Sequence, residues 1–366
     1  MTPESRTLSP WHYATLLISA TIGNILFVWP GHVVSAAGEN AATSVLVIVA
    51  GVGGIGLVHH AWVHQHTPLA GSARVAVMAI AAPGLLIVGA IDVALTALLN
   101  QMLHTLFYAD TPEWALMVPF LGIVMWGAVI SLDGLGRLTQ LWVPLGGALL
   151  AGVSSVALVN ASHGQALWPG HLVVIPAIHG VAIMAYLAAP VAPTVVLLTP
   201  HINAPDRTIR QSFMAAAAVI GVTLVAIYAL VILLVGPDAI PHLRWPLVYT
   251  LETITLDSTF FVSRVGLAVI FLWTAVVALA FSVHLRLSLQ VVQQVRPSLP
   301  RWSPIILGLV YAIGIGVFRT PTASSHWIVD RMDPLACGYL VLETIGLGFW
   351  VVVHAAGHRR HRGMKS

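Results

Sequence analysis

The stretch Ala20-Thr21-Ile22-Gly23-Asn24-Ile25-Leu26-Phe27-Val28-Trp29-Pro30-Gly31 decides how the chain is read. It lies inside an apolar segment running from about Trp11 to Val34, long enough to cross a bilayer. The segment is nevertheless written to break. Gly23 is a poor helix former, Pro30 has no amide to donate, and Gly31 follows directly. In hydrocarbon a freed backbone amide costs several kcal/mol, so a break survives only inside protein or beside a watery cavity. A discontinuous helix of this kind can bind a small polar ligand near the midplane. A kinked packing helix, with Gly23 allowing close contact, is the competing reading of the same residues.

The rest of the chain is membrane in character. Of 366 residues, 58% are hydrophobic and 8% charged, against about 25% charged in soluble domains. The single cysteine, Cys337, excludes an internal disulfide framework. A net charge of +3, scattered along the chain, gives no footprint for nucleic acid. The N-terminus lacks the basic region and small-residue cleavage site of a signal peptide.

About ten spans are expected: 11–34, 42–63, 75–107, 113–132, 136–158, 171–198, 213–235, 260–287, 304–318 and 335–354. A polar loop over 236–257 separates the seventh from the eighth. The second span is rich in glycine (Gly51, Gly53, Gly54, Gly56), which suits tight helix packing. With the N-terminus inside, twelve basic residues fall on the cytoplasmic side and four outside, which supports cytoplasmic termini. The sixth span is interrupted by Pro176, Gly180, Pro190 and Pro193. It therefore echoes the first span five helices later, as an inverted five-plus-five repeat with broken first helices would. The chain reads as one polytopic domain, with a first repeat over about 11–160, a second over about 171–356, and a basic tail over 357–366.

Several polar residues stand where lipid offers no partner. Asp92 is a carboxylate at the centre of the third span. Such a group costs about 2.5–3.5 kcal/mol on insertion scales and tends to face a cavity or a partner. It either binds a ligand amine, a cation or a proton, or bonds a neighbouring helix. Thr96 and Asn100 follow it at i+4 and i+8 and share its helical face. Gly23, Asn24 and Ile25 are candidates for backbone contact with a ligand carboxylate, and Thr21 adds a hydroxyl. Tyr186 could close the site from the sixth span, and Thr274 from the eighth. Core packing of Tyr186 and a Thr274 hydroxyl bonded to its own helix are the bland alternatives.

His60 and His64 have a usable i, i+4 metal-ligand spacing within a cluster with His59 and His66. Position at the membrane interface in a chain with one lysine favours a polar anchor instead, and no metal or cofactor is expected. No phosphate loop, zinc-protease motif or Ser/His/Asp arrangement is visible, and no catalytic residue is assigned.

Five motifs in order resemble the endospore germination permeases, the GerAB-type B subunits of nutrient germinant receptors. The segment His242-Leu243-Arg244-Trp245-Pro246-Leu247 is similar to that family's Arg-Leu-Thr-Tyr-Pro-like loop, and Thr253 to Asp257 to its Ile-Ser-like stretch. Arg264 precedes Trp273 by nine residues, as in the family's eighth helix. Ile22 to Phe27, Asp110-Thr111-Pro112, and the run from Gly134 to Pro144 resemble further family motifs. The resemblance implies an amino acid/polyamine/organocation (APC) type, LeuT-like all-α membrane fold. It implies a small nutrient ligand such as an amino acid, bound in the spore inner membrane. It also implies two partners, the receptor's A subunit and its C lipoprotein subunit. Two departures stand out. No acid lies between His171 and His201, where the family often has a Glu in the broken sixth helix, and Ala280 occupies a position often held by Lys. An ordinary secondary transporter of amino acids or cations is the alternative. An intramembrane metal or haem enzyme using the histidines is a third.

Overall fold

The computed structural model describes residues 8–24, 29–66, 72–159, 161, 163–167, 171–253, 265–295, 303–317 and 327–347. All the elements among them are helical, and one isolated β-bridge ties Leu8 to Ile202.

The first span starts as α1 (Pro10–Ile22). Ser9 caps it by accepting from the His12 amide at 3.1 Å, and Pro10 suits the first helical position because its missing donor would be unpaired there. After the break the chain continues as α2 (Trp29–Ala37). Gly38, at φ 55, then reverses it into α3 (Ala41–His66), a left-handed conformation that glycine adopts without penalty. The next three helices are α4 (Ser72–Leu106), α5 (Glu113–Val129) and α6 (Leu132–Val159). The sixth span is in pieces: α7 (Val174–Ile183), α8 (Ala185–Ala188) and α9 (Val191–Leu198). Its two arms bend by 52° at Met184, whose φ −95 and ψ 0 lie outside the helical well. Beyond it come α10 (Asp206–Val235), α11 (Pro246–Thr253), α12 (Val265–Val295) and α13 (Ser303–Val317). A π-turn over Ile328–Met332 opens the last helix, α14, residues 333–347.

Among the described residues five helices are long and apolar enough to cross a membrane, six if the bent pair counts as one span; α5 and α13 are apolar but shorter. With α1/α2 and α14 these elements make about ten spans, in line with the sequence. The chain is a multi-pass membrane protein. The core is built around α1, which packs on α6, α10 and α12, and α4, which packs on α9 and α12. Both are buried along much of their length.

Three expectations need correction. The segment over 236–257 is not simply a polar loop, because it folds α11 back onto α2 and α10. Trp245, Leu247, Val248 and Leu251 are buried there, an apolar face too short to register as a span. The last helix begins earlier than Leu335, so Asp333 lies inside it. The glycines of α3 are not uniformly packing glycines. Around Gly51, Gly53 and Gly54 the described structure is open, and only Gly56 accepts a neighbour, the ring of Phe213.

Candidate functional site

The helix that leads into the first break, α1, packs against α8 and α9, the pieces that follow the second. At the first break the helix ends with its amides engaged. Gly23 N–H donates to Ser19 O at 3.0 Å and Asn24 N–H to Thr21 O at 3.3 Å, so neither is the freed amide that the sequence suggested. Ile25 lies outside the described residues. Gly23 is held by packing: a Cβ added to it would collide with the Ala280 Cβ of α12. Ala280 is the position at which the family resemblance led us to expect Lys, and its small side chain is what lets α1 end against α12.

What the first break does offer is the Asn24 side chain. It is fully buried, and neither Oδ1 nor Nδ2 has a partner among the described residues. A buried amide lacking its partners costs free energy, which a bound polar group would recover. The Thr21 hydroxyl is turned back onto Leu17 O at 2.9 Å. Across the bundle, Tyr186 sits in α8, directly past the bend, and its buried hydroxyl is also unpartnered among the described residues.

Asp92 is fully buried and is not open to the bundle. His284 Nδ1 of α12 lies 3.1 and 2.9 Å from its two oxygens, within hydrogen-bond distance of both. The His284 Nε2 on the far side of the ring has no partner among the described residues. The pair therefore ties α4 to α12 at mid-helix. The sequence signal for His284 is its depth in an apolar span, where a polar side chain needs a partner. Tyr311 of α13 lies beside Asp92, with its hydroxyl against Gly89.

Thr96 and Asn100 share the buried face of α4 with Asp92, as their spacing required. They line a cavity of about 140 Å³ with Tyr108, Phe120, Phe271 and Thr274. The hydroxyls of Thr96 and Thr274 bond back to their own helices, to Asp92 O at 2.7 Å and Ile270 O at 2.8 Å. Asn100 Oδ1 remains without a partner among the described residues. The candidate residues thus divide between the broken helices (Thr21, Gly23, Asn24, Tyr186) and a separate pocket between α4, α5 and α12 (Thr96, Asn100, Thr274).

The histidines of α3 are engaged by carboxylates. His59 Nδ1 bonds Ile55 O at 2.7 Å, and its Nε2 stands 3.3 Å from Glu343 of α14. His60 Nε2 lies 2.9 Å from Asp206 at the start of α10. The side chains of His64 and His66 are outside the description. Among the described residues no three metal-ligating side chains converge.

No curated protein sequence matches the chain. Among solved structures, the manganese transporter of Eremococcus coleocola, determined with an aromatic bis-isothiourea compound, matches at a TM-score of 0.51 and 13% identity. The alignment covers 93% of this chain and 81% of the transporter. At that identity the likeness speaks for the fold alone, an all-helical membrane architecture. The model of the family described as "Spore germination protein" matches residues 86–322, from mid-α4 to just beyond α13. With that family model matching more than half of its length, the chain belongs to the spore germination protein family.

Proposed function

We propose that this protein is the membrane subunit of a spore nutrient germinant receptor. It binds a small germinant, an amino acid or a close analogue, between the broken helices and signals germination with an A subunit and a C lipoprotein subunit. The observation that carries the reading is the pair of breaks five spans apart, each presenting a buried polar side chain, Asn24 and Tyr186, that has no partner among the described residues. A ligand that bonds both would favour the arrangement in which the breaks face each other and shift the population toward it. Partner subunits would read that shift. The halves over about 11–160 and 171–356 act as inverted repeats around the site, in the spore inner membrane with both termini cytoplasmic.

A second reading is supported by the likeness to a transporter fold: ordinary secondary transport of an amino acid or cation. The two are separated by deleting the gene and exposing the spores to single amino acids and sugars. Loss of germination on one nutrient, with no saturable uptake of that nutrient by cells expressing the protein alone, supports the receptor. Saturable uptake with unaltered germination supports the transporter.

A further inference from the structure

Among the described residues, Asp333 is a buried carboxylate with no side-chain partner. Four other carboxylates each stand beside a histidine: Asp92 by His284 at 2.9 Å, Asp133 by His12 at 3.1 Å, Asp206 by His60 at 2.9 Å and Glu343 by His59 at 3.3 Å. Asp333 has no such neighbour among the described residues. It is 2% exposed, and neither oxygen has a hydrogen-bond partner among the described residues. Its carboxylate faces the backbone N–H of Tyr186. Tyr186 is the second residue past Met184, where the sixth span bends. The Tyr186 hydroxyl, 1% exposed, is likewise unpartnered. On the other side, Asp333 follows directly on the π-turn over Ile328–Met332, a local widening of the helix that is frequent at functional sites.

A carboxyl buried in a membrane without a charged partner either holds a proton or meets a cation. We propose that Asp333 is the cation subsite of the broken-helix site. It takes one compact monovalent cation, either the ammonium of a small primary amine or an inorganic ion, and the Tyr186 hydroxyl oxygen serves as a neighbouring acceptor. This deepens the proposed germinant site and rests on it, since an amine there would belong to the germinant. The uncharged Asn24 amide would then serve the ligand's other polar groups.

The test is equilibrium binding of radiolabelled methylammonium and of radiolabelled sodium to the purified full chain in lipid nanodiscs. Ionic strength is held constant with N-methylglucamine. One of the two ions should bind saturably. Asp333→Asn should weaken it by at least about tenfold, and Tyr186→Phe by a smaller factor, because each truncation removes a buried partner of a charge. Asp238→Asn, at an exposed acid, should leave binding unchanged. Methylammonium binding assigns the amine and sodium binding the inorganic ion. Absence of saturable binding by either, or equal binding by Asp333→Asn, overturns the proposal. If Asp333→Asn does not fold, Tyr186→Phe carries the test, and native-like binding by it counts against the site.

A parallel arm measures the thermal stabilisation of native and Asp333→Asn protein by each of the common L-amino acids. Equal stabilisation of both by one amino acid keeps the germinant site and refutes the cation subsite. Asp333-dependent methylammonium binding with no amino-acid effect keeps the subsite and refutes the amino-acid germinant.

Discussion

Asp92 shows how far a single residue can be read from sequence. Its burial followed from its place at the centre of an apolar span, and the structure buries it fully. Its partner did not follow, because His284 lies 192 positions away and nothing local couples the two. The contact makes a definite prediction. Removing one member leaves a buried group unmatched, and breaking a buried pair costs about 3–5 kcal/mol. Asp92→Asn and His284→Ala should each lower stability on that order, measured by thermal unfolding in nanodiscs. The double variant should lose less than the sum, because neither group is then left alone. Strict additivity would show that the contact contributes no coupling. Asp333 was missed for a different reason. It follows Asp330 and Arg331 in a run that reads as a loop, yet those two are exposed while Asp333 turns inward once the π-turn shifts the register.

At the scale of the element, the break in the first span was legible and its mechanism was not. Glycine and proline spacing located the interruption, and α1 does stop at Ile22. The role of Gly23 is steric, since its missing Cβ is the space that Ala280 fills. Gly23→Ala should therefore destabilise the protein by about 1–3 kcal/mol, as overpacking does. Ala280→Gly in the same chain should recover most of that loss, measured by the same unfolding assay. Failure of the second change to restore stability would argue that Gly23 is needed for its backbone and not for its size. The sixth span tells the complementary story. Its prolines and glycines predicted a break, but the bend falls at Met184, between Gly180 and Pro190, where no breaker residue stands. Tertiary packing of α8, buried throughout, sets the position.

For the molecule as a whole, composition and span count were sufficient for the class, and the order of motifs for the family. The arrangement of helices was not legible, because apolar membrane spans carry little information about which neighbour each will meet. Orientation remains a prediction from the basic residues. In a Cys337→Ser background, Asp110→Cys should react with a membrane-impermeant maleimide added outside intact cells, and Arg137→Cys should react only after permeabilisation; the reverse pattern would invert the topology. The proposal that joins these scales is that a nutrient held between the two broken helices sets the germination response. Its most direct measurement is the nutrient dose–response of spores carrying Tyr186→Phe or Asn24→Ala at native protein levels. The account predicts that each variant needs several-fold more nutrient, on the order of one lost buried hydrogen bond, and reaches the native maximal rate. Dose–response curves that superimpose on the native one would place the nutrient elsewhere.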